Sequence, residues 1–212
     1  MDTNLVAQQI ADKLLEIEAI KLSPDKPFQW SSGWLSPIYC DNRIALSYPE
    51  IRTFIKQSLA QKIASSFPGA EVIAGVATAG IAQGALVADL LGLPFGYVRP
   101  EAKKHGMGNQ IEGPVPTGKK VVVIEDLIST GGSSLKAVKA LTNAGAHVLG
   151  TVAIFSYDFD VARQNFDNAG IPLEVLSNYP VLIEAALRKN YINQNQVELL
   201  NQWRLSPETW GK

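Results

Sequence analysis

Cysteine is almost absent from this chain, with Cys40 the single thiol among 212 residues. One thiol closes no intramolecular disulfide and builds no thiolate metal cage, which excludes a disulfide-stapled scaffold and points to a reducing cytoplasm. Neither sign of charge is in surplus. Nineteen Lys and Arg oppose twenty Asp and Glu for a formal charge of -1, so no general positive field draws nucleic acid or anionic lipid, and any phosphate site has to be local. Long apolar runs are missing too, because 85–98 is interrupted by Asp89 and Pro94, while Met1-Asp2-Thr3-Asn4 has no basic cluster. Neither a membrane span nor a signal peptide is expected.

What is present is the composition of a soluble globular protein, 46% hydrophobic and 18% charged with 17 Gly and 12 Pro. The length suits one domain over 1–212 with a sizeable core. Leu5, Ala7, Ile10, Leu14 and Ile17 recur at helical intervals and predict an amphipathic helix over 4–20. The aromatic, β-branched stretch 28–41 around a Ser-Gly turn reads as a hairpin-like pair of strands, so that residues 1–45 supply a helix and a small hood. Ser47-Tyr48-Pro49-Glu50 has the form of a capping box opening a helix to residue 66. From there short apolar runs at 72–77, 94–98, 121–124, 147–155 and 173–176 alternate with helical stretches at 81–91, 134–144 and 161–168, followed by helices at 181–189 and 194–204. The pattern is that of an α/β fold, a mostly parallel sheet flanked by helices, whose ligands bind at the carboxyl ends of the strands.

The chemistry concentrates in Val121-Val122-Val123-Ile124-Glu125-Asp126-Leu127-Ile128-Ser129-Thr130-Gly131-Gly132-Ser133-Ser134, an apolar strand that ends in two acids and runs through a hydroxyl- and glycine-rich turn into a helix. Two glycines let backbone N–H groups converge on an anion, the hydroxyls add donors, and the helix N-terminus contributes its positive dipole. Glu125 and Asp126, one step earlier, can attract an Mg²⁺ complex or hydrogen-bond sugar hydroxyls. Phosphate beside hydroxyls describes a ribose 5-phosphate pocket. The plain alternative is a capped strand-to-helix turn with an exposed acidic pair. The string is neither a P-loop nor a dinucleotide fingerprint, since both glycine spacings are absent. Taken whole, it resembles the signature of the type I phosphoribosyltransferases, which bind 5-phosphoribosyl 1-diphosphate (PRPP).

Two further segments extend that resemblance. The loop from Arg99 to Gly113 sets Arg99, Lys103, Lys104 and His105 among glycines, which suits a lid closing over a polyanion, although a solvated basic loop would look the same. Its entry Tyr97-Val98-Arg99 and exit Asn109-Gln110-Ile111-Glu112-Gly113 are similar to the catalytic loop of the orotate phosphoribosyltransferases. Ser32-Gly33-Trp34-Leu35-Ser36-Pro37-Ile38-Tyr39-Cys40-Asp41-Asn42-Arg43 looks like the orotate-specific segment of the same group. With the turn Gly75-Val76-Ala77-Thr78-Ala79-Gly80, the resemblance covers about residues 10–205.

The resemblance implies transfer of a phosphoribosyl group from PRPP to orotate, giving orotidine 5′-monophosphate and diphosphate in de novo pyrimidine synthesis, with Mg²⁺ as cofactor and a homodimer with shared active sites as the assembly. Lys103, Arg99 and His105 are the candidates to assist the departing diphosphate, with Lys104 in the same lid and the lid reaching into the neighbour's site. Residues 129–133 would hold the 5-phosphate, Ser129 also lying near the base, while Glu125 and catalytic Asp126 would hold the ribose hydroxyls. Backbone groups near Tyr39 and Cys40 would hold the base, and Trp30, Trp34 and Tyr39 offer apolar surface for a two-fold interface. The chain departs from relatives at Leu35, Ala79 and Pro100, where basic residues are common, so some diphosphate contacts cannot come from these side chains. His147 reads as structural or superficial, and Cys40 as packing, since no histidine stands beside it to activate it. A PRPP-sensing nucleic-acid regulator is disfavoured by the absence of a helix-turn-helix extension and by the charge balance, and a purine-specific transferase by the segment 32–43.

Overall fold

Helix α1, Thr3–Glu16, buries Ile10, Ala11, Leu14 and Leu15. In the computed structural model, which describes residues 3–30, 33–101, 110–114 and 116–211, this helix ends earlier than its periodicity predicts. Glu18 takes φ +56° and the chain turns into strand β1, Ile20–Leu22. Ile17 and Ile20 are buried as a helical stripe would require, but they sit in a turn and a strand. Period alone cannot distinguish these cases over so short a distance.

The expected hairpin forms from β2, Phe28–Gln29, and β3, Leu35–Ser36, with Phe28 opposite Ser36. Strand β4, Ile38–Cys40, turns back to pair with β1 in antiparallel fashion, Lys21 opposite Tyr39. A 3₁₀ segment, Asn42–Ser47, follows and is capped by Asp41, whose carboxylate accepts from the Arg43 backbone N–H. Because Ser47 is consumed there, the capping box does not form. Helix α2, Pro49–Ser66, starts from Tyr48 with no side-chain cap and with Pro49 in its first turn, where a missing N–H costs nothing.

The remaining chain builds a six-stranded sheet from β5, Val72–Val76, β6, Phe95–Val98, β7, Ile111–Glu112, β8, Lys120–Ile128, β9, His147–Ser156, and β10, Leu173–Asn178. Their order is β10-β9-β8-β5-β6-β7, and all neighbours are parallel except β6 and β7. Alternate side chains separate two cores: Ile73, Val122, Ile124, Val152 and Ile154 belong to the larger one shared with α1 and α2, whereas Val72, Ala74, Val121 and Val123 meet α4, Gly132–Asn143. Helices α3, Ala79–Leu91, α5, Asp160–Ala169, α6, Tyr179–Arg188, and α7, Gln194–Leu205, complete the layers.

From β5 the chain steps to β6 on one side, then returns to place β8 on the other. This reversal opens a crevice at the carboxyl ends of β5 and β8, the usual ligand position in such sheets. Among the described residues no helix is long and apolar enough to cross a membrane.

Candidate active site

Strand β8 outruns β5. Its last partner there is Gly75 opposite Ile124, yet it continues beside β9 through Glu125 opposite Ala153 and Ile128 opposite Ser156. The apolar run predicts a strand ending at 124; pairing with β9 carries the acids and Leu127 into the strand instead. Gly80, at the start of α3, makes room for this arrangement, since a Cβ there would lie 2.5 Å from the Ile124 carbonyl oxygen.

The two acids receive different surroundings. Glu125 is 6% exposed. Its Oε2 accepts from the Ser134 hydroxyl at 3.1 Å and its Oε1 from the Asp126 N–H at 3.1 Å, which ties β8 to the first turn of α4. Burial, reinforced by the Asp126 charge, pushes its carboxyl up to about 8. Asp126 is half-buried, and burial raises its carboxyl as well, opposed by hydrogen bonding and by the Arg43 charge. Its backbone carbonyl accepts from Asn42 Nδ2 at 2.7 Å, fastening the hood to the sheet.

Past β8 the chain runs through Ser129 and Thr130 to Gly131, which takes φ +80° as the N-cap of α4. A Cβ on Gly131 would stand 2.7 Å from the Phe166 ring, so glycine meets both the backbone and the packing demand. Asn165 Nδ2 donates to the Thr130 carbonyl at 2.9 Å and steadies the turn. Among the described residues no side chain caps α4, and no acid occupies its first turn, leaving Gly132, Ser133 and Ser134 around a positive helix end suited to an anion.

A cavity of about 600 Å³ lies between this turn and the hood, lined by Gln29, Trp30, Trp34, Tyr39, Cys40, Leu127, Ser129, Thr130 and Tyr157. It joins Tyr39 and Cys40 to Leu127, Ser129 and Thr130, which lie far apart in sequence. Trp30 and Trp34 line this cavity and stack at 6.4 Å, with Trp30 also 5.2 Å from Tyr157, while Tyr39 is exposed. The Cys40 thiol donates to Asn42 Oδ1 at 3.4 Å and burial holds it well above its ordinary pKa, helped by the Asp126 and Asp41 charges. It packs rather than attacks.

Arg99, just beyond β6, donates its N–H to the Gln110 carbonyl at 2.9 Å and its guanidinium pairs with Glu112 at 3.5 Å. The joining segment, expected to be one long loop, therefore returns through β7 as an antiparallel edge. Lys103, Lys104 and His105 lie outside the described residues. Leu35 sits in β3, where its carbonyl accepts from Trp203 Nε1 at 3.2 Å. Ala79 begins α3 and Pro100 follows Arg99. His147 is exposed at the start of β9, away from the strand ends that form the crevice. Sequence reasoning missed Tyr157, Asn42 and Gln29 as site residues. Tyr157 had one signal, its position at the carboxyl end of a parallel strand.

Residues 44–175 match the model of the phosphoribosyl transferase domain. An orotate phosphoribosyltransferase of Porphyromonas gingivalis is 59% identical over 202 residues, 95% of this chain and 96% of the relative. One from Cytophaga hutchinsonii is 55% identical over 205 residues, 97% and 98% of the two chains. The crystal structure of orotate phosphoribosyltransferase from Aeropyrum pernix superposes with a TM-score of 0.76 at 28% identity, covering 87% of this chain and 99% of that one. The fold with its switch-point crevice, the domain match and near-full-length identity above one half agree, and the chain belongs to the phosphoribosyltransferase family and, within it, to the orotate phosphoribosyltransferases.

Proposed function

We propose that this chain transfers the 5-phosphoribosyl group of PRPP to N1 of orotate, forming orotidine 5′-monophosphate and diphosphate for pyrimidine synthesis in the cytoplasm. The observation that carries the reading is the cavity that joins the hood hairpin to the uncapped turn before α4. It offers an aromatic slot for a base beside a cradle for a phosphate.

In the reaction the C1–O bond to diphosphate breaks with its electron pair leaving on oxygen, and the N1 lone pair of orotate forms the new C1–N bond. Positive character grows on the ribose as the old bond opens, so fixed negative charge on the sugar side and cations on the leaving side both favour the transition state. Residues 129–133 hold the 5-phosphate and fix the sugar. Asp126 holds the ribose hydroxyls and faces the sugar's developing charge, with Glu125 behind it setting the turn through Ser134. Arg99, Lys103 and His105 assist the departing diphosphate, and Lys104 closes with the same lid. Backbone groups at Tyr39 and Cys40 hold the base.

The donor set suits Mg²⁺ carried on its substrate. Among the described residues no group of three or more His, Cys, Asp or Glu could cage a metal, whereas Asp126 is a hard oxygen donor beside the proposed sugar site, and Mg²⁺ commonly binds through one or two carboxylates plus substrate oxygens. Bound there, the ion would supply positive charge to neutralise the diphosphate. The working assembly is a homodimer in which the lid of one chain serves the partner's site.

Incubating the purified chain with PRPP, Mg²⁺ and orotate tests the reading. Orotidine 5′-monophosphate and diphosphate should appear in equal amounts, with no product from adenine, guanine or hypoxanthine. Conversion of a purine base while orotate is untouched would overturn it.

A further inference from the structure

Tyr157 stands one residue beyond β9, outside every motif described above. It is 2% exposed, yet it lines the cavity beside Trp30, Tyr39, Cys40 and Ser129. Four aromatic neighbours fix its ring: Trp30 at 5.2 Å, Phe159 stacked at 5.5 Å, and Phe155 and Trp203 edge-on at 5.8 Å. Its backbone N–H donates to the Ile128 carbonyl at 3.0 Å, at the end of β8. With ring and backbone both held, the hydroxyl has little freedom. No hydrogen bond joins that hydroxyl to a described residue, which leaves it available to a molecule in the cavity that Tyr157 lines. The described lining of the cavity also contains no charged side chain, so recognition inside it rests on neutral donors and backbone groups.

We propose that Tyr157 is a specificity-determining residue of the transferase, its hydroxyl donating a hydrogen bond to an oxygen of the bound pyrimidine base. The inference rests on the orotate reading above. An aromatic slot alone accepts any flat ring; a fixed donor within it favours a ring that presents an acceptor at that point. The phenol is suited to the role because burial, with the Asp126 charge, holds its proton in place. A neutral donor adds no negative charge against an anionic base.

Tyr157→Phe in the full chain removes the hydroxyl and keeps the ring. The orotate KM should rise about tenfold, while the PRPP KM and the melting temperature stay within error of the parent. A set of orotate analogues, each with one exocyclic oxygen replaced by sulfur or hydrogen, supplies the second measurement. The parent should lose about tenfold on the analogue missing the accepted oxygen, and on that analogue parent and variant should be equal. An orotate KM within twofold of the parent overturns the assignment, as does an equal loss on every analogue, which would mark Tyr157 as packing only. A parent that converts no orotate overturns the reaction and this inference together, and is distinct from a working parent with an indifferent variant.

Discussion

At the scale of single residues, the acidic pair shows how two neighbours in sequence acquire separate tasks. Both oxygens of Glu125 are committed to protein donors, and the proposed function assigns the substrate to Asp126. Asp126→Asn keeps shape and polarity while removing charge; it should raise the PRPP KM and lower turnover by roughly a hundredfold, with orotate binding little changed. Identical PRPP kinetics in variant and parent would remove Asp126 from the ribose side. Glu125 makes a different prediction. Its carboxyl titrates near 4.5 ordinarily and near 8 in the fold, so the folded state binds the proton more tightly. The stability contributed is complete below about pH 4.5 and is lost as pH rises toward 8. Glu125→Gln keeps the Ser134 hydroxyl's acceptor and abolishes the titration. Between pH 5 and 8 the parent's melting temperature should fall relative to the variant's, by roughly 2–4 °C for each kcal/mol lost; parallel curves over that range would refute the assignment.

At the scale of elements, the site depends on a close approach between the start of α3 and the end of β8. In Gly80→Ala the new Cβ would meet the Ile124 carbonyl, a backbone atom that cannot rotate away. Denaturant midpoints should report a loss of about 1–3 kcal/mol, with the PRPP KM raised because the displacement is carried into Glu125. An unchanged midpoint would mean that this contact is slack. Elements of this kind were legible where their signal was local and long. The buried parallel strands, the helices between them and the turn at 129–133 follow from apolar runs, glycine and hydroxyls. Strands β1 and β7 did not, because two or three residues carry no period and exist only through the partners that Tyr39 and Tyr97 bring. The end of β8 was misread for a related reason: β9 supplies the pairing that extends it past Ile124. The lid's basic residues were legible as types, and their geometry lies outside the described residues.

At the scale of the whole molecule, distant parts of the chain meet around the cavity. Trp203 of α7 is fully buried, packs 5.7 Å from Trp30 and donates to the Leu35 carbonyl, so the last helix holds the hood that the first forty-five residues build. The proposed shared-site dimer extends the same dependence across two copies. Lys103→Ala alone should lower turnover about a hundredfold, since the proposed function has this cation stabilise charge on the departing diphosphate. Asp126→Asn should disable the proposed sugar side of the site. If lid and acid come from different chains, a hybrid of one Lys103→Ala chain and one Asp126→Asn chain has one site with both defects and one with neither. Random exchange makes half of the dimers hybrid, so a mixture of the two weak variants should recover roughly a quarter of parental activity. Sites contained within single chains would each keep one defect, and mixing would recover nothing. Chains that sediment only as monomers at assay concentration, or verified hybrids without recovered activity, would rule out the shared site.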